Sequence, residues 1–192
     1  RVFSANNHEG LIDKVPLDNL SREEIVKDSF THHYVRTRNG KNGNFGKLCS
    51  MISFRNNVIK LGNSIEEHPD FVIGSSVHPF AWDAAMKLAT IKKSKFIAEV
   101  RDIWPLTFVN SGRMSKWNPF VFYLSSLEKR AYRNAGFVIH LMESNGYFES
   151  KGARKLLFLP NGLNIRRFDE LTTIENSEIS DIVRSFREKY RI

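Results

Sequence analysis

Cysteine is nearly absent. Cys49 is the single one in 192 residues, which excludes an internal disulfide and suits a reducing compartment. It falls in an apolar helical pattern, so a core position outweighs a nucleophile there. Long apolar runs are missing too: no stretch approaches the roughly 18 residues that a membrane-spanning helix needs, and no signal peptide is visible. The chain also lacks Gly-x-Ser-x-Gly, His-Glu-x-x-His, Gly-x-x-x-x-Gly-Lys-Ser/Thr and Gly-x-Gly-x-x-Gly. Those absences disfavour a hydrolase, a zincin, a nucleoside triphosphatase and a standard dehydrogenase. Zinc-finger spacing, an RNP-type strand and a basic recognition helix are absent as well. A formal charge of +8 therefore does not by itself mean nucleic acid. The basic residues are dispersed, and their densest groups, Lys92-Lys93-Ser94-Lys95 and Arg166-Arg167, are short. A solvated basic surface, or attraction to anionic lipid heads or phosphorylated substrates, fits better.

What is present is enough for one domain with a substantial core, since 41% of the residues are hydrophobic. The chain begins with Arg and goes directly into an apolar run, and it ends in a charged helical pattern. It is expected to be a piece of a longer protein. Residues 2–5 look like the tail of a strand, followed by a polar turn carrying His8. Ser21 with Glu24 has capping-box form and predicts a short helix to about Ser29. Residues 31–37 read as a weak, edge-like strand whose His32 and His33 point to opposite faces, which argues against joint metal binding. A helical pattern runs from about Phe45 to His68.

A clear alternation follows. Residues 71–73 form a short continuous apolar strand, expected to be buried on both faces. Pro79 opens a helix over 81–91, with Trp82, Ala85, Met86 and Ala89 on one face and Ala84, Leu88 and Ile91 on a second. A strand at 96–100, a long connection at 106–118, and a helix from Pro119 through Asn134 come next. The predicted inward stripe of that helix is Phe120, Tyr123 or Leu124, Leu127 and Ala131. Strands at 137–141 and 156–159 flank a short helix that Ser144 can cap. Residues 169–176 read as a linker and 180–190 as another helix. Alternating strands and helices imply an α/β fold with a Rossmann-like parallel sheet and helices on both faces.

In such a sheet the carboxyl ends of the strands share one edge, where ligands bind. Successive strand ends bring His78, Arg101 with Asp102, Glu143 with Ser144, and Asn161 with Gly162 to that edge. The amino end of the helix at Pro79 points there too, with its positive dipole. Together these suit a ligand with hydroxyls and phosphates. Each residue also has a plainer reading. His78 can cap the helix, Arg101 or Asp102 can pair with a neighbouring charge, and Asn161-Gly162 can be only a turn. His140, inside an apolar strand, reads as a satisfied core histidine.

Four segments occur in order: Pro-Asp-Phe-Val-Ile-Gly-Ser-Ser-Val-His-Pro-Phe (69–80), Glu-Val-Arg-Asp-Ile-Trp-Pro (99–105), Leu-Glu-Lys-Arg-Ala-Tyr-Arg-Asn-Ala (127–135) and Leu-Pro-Asn-Gly-Leu-Asn-Ile-Arg-Arg-Phe (159–168). They resemble the amino-terminal domain of family 4 glycosyltransferases, of GT-B fold, in the branch making bacterial surface polysaccharides. The likeness covers about residues 65–170 and extends weakly to the turn at His8. It implies an acceptor-side domain over 1–170, incomplete at its start, with 171–192 leading to a donor-binding domain. It implies a retaining enzyme that moves a sugar from a nucleotide-sugar donor to a glycan or polyprenyl-linked acceptor, without a metal or other cofactor and without nucleic acid. This portion alone would be inactive. The location implied is cytoplasmic, possibly peripheral at the inner face of the membrane. His78 and Asp102 are the catalytic candidates that the likeness implies, with His78 orienting and stabilising charge rather than acting as a strong base. His8, His78, Pro79, Phe80, Arg101 and Asp102 would line the acceptor side; Glu143, Ser144, Asn161 and Gly162 would face the interdomain cleft. The loop 106–118 either contacts a lipid-linked acceptor or membrane surface, or simply packs. The alternative from another class is a non-catalytic Rossmann-like module that binds a phosphorylated ligand or partner.

Overall fold

Four apolar segments separated by helix-length stretches pair into one all-parallel sheet. The computed structural model describes residues 1–6, 19–26, 30–38, 43–76, 78–143 and 145–162. The chain divides into two compact units, Arg1–Leu159 and Pro160–Ile192. The first holds every described helix and strand. His8, Ser144, the expected linker and the expected final helix lie outside the described residues.

The parallel sheet has the order β4 (Phe71–Ser75), β5 (Lys95–Val100), β6 (Phe137–His140) and β7 (Leu156–Phe158). Its connections are α2 (Pro79–Lys92), then α3 (Leu106–Asn110) with α4 (Pro119–Asn134), then α5 (Tyr147–Ser150). Strand order follows chain order, so right-handed crossovers carry all these connections to the same face. Trp82, Ala85 and Ala89 of α2 meet Phe96, Ala98 and Val100 of β5, Ala131 and Tyr132 of α4, Val138 of β6 and Phe148 of α5 in one buried cluster. The fold is α/β, Rossmann-like, with a parallel sheet flanked by helices, as the alternation predicts.

The opposite row of the sheet differs from expectation. Phe71 and Ile73 are 49% and 56% exposed rather than buried on both faces, because α2, α4 and α5 cover the alternate row. Ile91 also lies exposed at the end of α2.

A second, three-stranded sheet has the order β1 (Val2–Ala5), β3 (Phe30–Val35), β2 (Ser21–Val26). Two expectations are corrected here. The predicted helix at 21–29 is strand β2 over its described part, antiparallel to β3, with Glu23 opposite His33 and Glu24 opposite His32. Pairing along β3 outweighs the local capping pattern, as tertiary context commonly does. Strand β3, read as edge-like, is the central strand. His32 and His33 do face opposite ways: His32 bonds Ser4 Oγ at 2.7 Å, while buried His33 stacks on Phe3 at 4.8 Å.

Helix α1 (Gly43–Ser64) connects the two sheets through its packing. Val35 of β3, Val58 of α1 and Ala84 and Leu88 of α2 form one buried cluster, with Phe3 and Val72 against it. Gly62 allows the close approach: a Cβ there would sit 2.7 Å from Leu88. Gly74 does the same for β4 and α2, where a Cβ would meet Ala85 Cβ at 2.9 Å and Trp82 Cα at 3.2 Å.

Candidate functional site

The site begins with how β4 turns into α2. His78 is the N-cap residue in extended conformation, and Pro79 occupies the first helical turn, where its missing N–H costs nothing. The His78 side chain makes no capping bond, which removes one of its plain readings. Its carbonyl instead accepts from Ala81 N–H at 3.0 Å.

The turn is tied to the end of the neighbouring strand. Ser76 N–H donates to the Glu99 carbonyl at 3.0 Å. Arg101 N–H donates to Ser76 Oγ at 3.0 Å. The Trp82 indole N–H donates to the same Glu99 carbonyl at 3.1 Å. Phe80 and Trp104 share a buried cluster with Leu124 and Leu127, and Phe108 packs against it. The turn carrying His78, Pro79 and Phe80 is therefore fixed beside the one carrying Arg101 and Asp102.

His78 stands among aromatic rings, edge-on to Phe54 at 5.6 Å and tilted to Phe80 at 6.2 Å. Its Nδ1 is buried and has no hydrogen-bond partner among the described residues. Burial pushes the imidazole pKa down to about 4, against a partial rise from its backbone hydrogen bond. The ring is neutral at neutral pH. A neutral imidazole can orient a hydroxyl and accept or donate one hydrogen bond, but it is a weak base. Phe80 is buried, whereas Arg101 and Asp102 are exposed and free to meet a ligand.

Asp102 lines a shallow depression of about 140 Å³ with Ile103, Leu106, Thr107, Asn110 and Met142. The turn after β6 thus contributes to the same edge through Met142. Glu143 follows, exposed. His140 is the core histidine the sequence predicts: it is buried, with Nδ1 2.7 Å from the Met142 carbonyl. Asn161 and Gly162 are exposed and belong to the second unit, which begins at Pro160. A larger depression, about 500 Å³, lies at the opposite edge among His68, Asp70, Phe71, Lys92, Lys93 and Lys95. No sequence-predicted site residue reaches it. Among the described residues no group of His, Cys, Asp or Glu could hold a metal ion, and no helix is long and apolar enough to cross a membrane.

Three supporting residues escaped the sequence reading. Ser76 is buried and links two strand ends. Asp83, buried on α2, receives hydrogen bonds from Arg55 of α1 and Arg130 of α4. Glu128, buried on α4, accepts from Tyr147 Oη at 2.8 Å and lies 3.3 Å from Lys151 Nζ. Burial raises the Glu128 pKa, and Tyr147 and Lys151 oppose that rise. A signal existed for both carboxylates. Asp83 interrupts the apolar run from Phe80 to Met86, and Glu128 sits one turn after Leu124 on the buried stripe.

No family model matches the chain, and neither a curated protein nor a solved structure matches it.

Proposed function

We propose that this chain is the acceptor-side portion of a retaining glycosyltransferase, which moves a sugar from a nucleotide-sugar donor to a glycan or lipid-linked acceptor. The observation that carries the reading is the bonded junction of two strand ends. It sets the turn that carries His78, whose buried Nδ1 has no hydrogen-bond partner among the described residues, next to the turn that carries exposed Arg101 and Asp102. Sugar hydroxyls need neutral and anionic acceptors, and a phosphate-bearing partner needs a cation. His78 orients the acceptor hydroxyl and stabilises developing charge. Asp102 accepts from acceptor hydroxyls, Arg101 pairs with phosphate, and Pro79 with buried Phe80 fixes the His78 backbone. Glu143 lies toward the donor side, with Ser144, Asn161 and Gly162 assigned to that cleft on sequence position alone. With His78 this weakly basic, the leaving phosphate is the better proton acceptor, which fits retention by same-face attack. The reading places the protein in the cytoplasm, at or near the inner membrane face.

The test uses the full-length protein with a panel of nucleotide sugars and glycan or polyprenyl-phosphate acceptors. His78→Ala is expected to lower turnover by about 10²-fold, the scale of one lost transition-state hydrogen bond, while donor affinity stays within about twofold. Near-wild-type turnover in His78→Ala overturns the catalytic assignment. Binding of phosphorylated ligands with no transfer from any donor favours the non-catalytic module instead.

A further inference from the structure

Glu128 is a fully buried carboxylate that the proposed chemistry leaves unused. It stands on the inward stripe of α4 with Leu124, Leu127 and Ala131. An apolar side chain would fill that position without desolvating a charge, and replacing a buried ion pair in this way is often neutral or stabilising. Stability is therefore a weak reason for a carboxylate here. Its partners give a stronger one, since both belong to α5 and the residue that caps it. Tyr147 Oη donates to Oε1 at 2.8 Å, and Lys151 Nζ stands 3.3 Å from Oε2. Lys151 Nζ also lies 5.2 Å from the Tyr147 ring centroid, so the two partners support one another. Burial, and the Glu128 charge with it, raise the pKa of the Tyr147 hydroxyl, which stays a donor.

Helix α5 needs such an anchor. It is 4 residues long, far below the roughly 12–15 residues that hold a helix together unaided. The chain reaches it through two residues in the left-handed region, Asn145 at φ 44° and Gly146 at φ 80°. Both residue types visit that region readily, and glycine leaves many other paths open. The turn they belong to runs from His140, the last residue of β6, to Tyr147, the first of α5. Its start is pinned by buried His140, whose Nδ1 lies 2.7 Å from the Met142 carbonyl. Its end is pinned by Tyr147 on Glu128, and by Phe148, buried with its ring 5.6 Å from that of Tyr132. Between the pins the turn carries Met142, which lines the depression beside Asp102, and exposed Glu143.

We infer that Glu128 is a positioning residue: through Tyr147 and Lys151 it sets the turn that presents Glu143 to the donor side of the site. It touches no ligand itself. Phe148 supplies burial, which is non-directional, whereas the contacts to Tyr147 and Lys151 fix the rotation of α5 and so the path of the turn before it. The inference deepens the glycosyltransferase reading and rests on it for the donor; the anchoring of the turn stands apart from that reading.

Three variants separate positioning from packing. Glu128→Leu keeps the stripe filled and removes both contacts, and Tyr147 and Lys151, each partly exposed, can turn to water. Glu128→Gln keeps an acceptor for Tyr147 and gives up the charge facing Lys151. Tyr147→Phe removes the same hydroxyl bond from the other side with little change in packing. Hydrogen–deuterium exchange over residues 141–153 of the chain is expected to quicken about tenfold in Glu128→Leu and Tyr147→Phe, with the melting temperature and exchange in α2 and β5 at wild-type values. Glu128→Gln is expected to restore most of that protection. In the full-length protein, Glu128→Leu is expected to raise KM for the nucleotide sugar about tenfold, with kcat and the acceptor KM within about twofold, the pattern of lost uniform binding. Glu128→Gln stays near the wild type. Wild-type exchange at 141–153 in Glu128→Leu overturns the inference. So does a lowered melting temperature with exchange raised throughout the chain in both Glu128→Leu and Tyr147→Phe, since Glu128 then only holds the fold together. Loosening at 141–153 with an unchanged donor KM, in a protein that transfers sugar, overturns the positioning role. Loosening there in a protein that transfers no sugar from any donor overturns the enzymatic reading alone.

Discussion

At the scale of single residues, His78 was legible in the sequence as a histidine between a strand end and a helix start. Its state of charge was not. The neutral form is imposed by Phe54, 24 residues earlier in the chain, and by Phe80, and no local pattern announces that enclosure. The depressed pKa has a signed consequence for stability. The unfolded imidazole takes up its proton near its ordinary 6.5, whereas the folded one resists until about 4. Between those values the unfolded state binds more protons, so stability falls as pH is lowered through that window and levels off below it. Above the window the group contributes nothing. At about 1.4 kcal/mol per pH unit, reduced for partial exposure, the loss is about 2–3 kcal/mol. His78→Gln cannot titrate there. Urea melts at pH 7.5 and pH 4.5 are expected to show the wild type losing about 2 kcal/mol more than the variant; equal losses would contradict the buried, neutral imidazole.

At the scale of elements, periodicity carried most of the reading. The strands from β4 onward and the helices α1, α2 and α4 lie within a few residues of where apolar spacing puts them. The failure at β2 has a physical cause: a capping pattern describes only what a segment prefers alone, and β2 is set by its pairing with β3. On α4 the expected stripe holds at Leu124, Leu127 and Ala131, with Phe120 packed against the core, and is widened by Val121, Glu128 and Tyr132. Counting apolar residues alone passes over Glu128, because a carboxylate occupies an inward position. Such carboxylates fasten helices to one another. Asp83 is shared by Arg55 of α1 and Arg130 of α4, so one side chain ties three helices together. Breaking a buried pair leaves an uncompensated charge, at a cost of about 3–5 kcal/mol when burial is complete. Arg130 is half exposed and Arg55 partly buried, so Asp83→Ala is expected to destabilise by about 2–3 kcal/mol, read from the urea midpoint at constant slope. A change below about 0.5 kcal/mol would mean that the clamp is ornamental.

At the scale of the whole molecule, the alternation of strands and helices made the fold class legible, and with it the edge that gathers His78, Arg101, Asp102 and Glu143. Coverage was not legible, because which row of a strand is buried depends on where the crossovers land. The open row includes Phe71, Ile73, Phe137 and Leu157, each more than two-fifths exposed. An apolar face of this kind favours association. Ile73→Lys/Leu157→Lys is expected to cost less than about 1 kcal/mol, since little burial is lost, and to lower light scattering at high protein concentration. Unchanged scattering would mean that association runs through another surface. The cluster of Val35, Val58, Ala84 and Leu88 bears on cooperativity. It spans the three-stranded sheet, α1 and α2 at once, so β3 has its apolar cover only while those helices stand. Loss of α1 and melting of β1–β3 are then expected to be a single event, so that far-UV circular dichroism and tertiary-structure probes of the unit Arg1–Leu159 report one coincident transition, with no partly melted state in which the small sheet survives by itself.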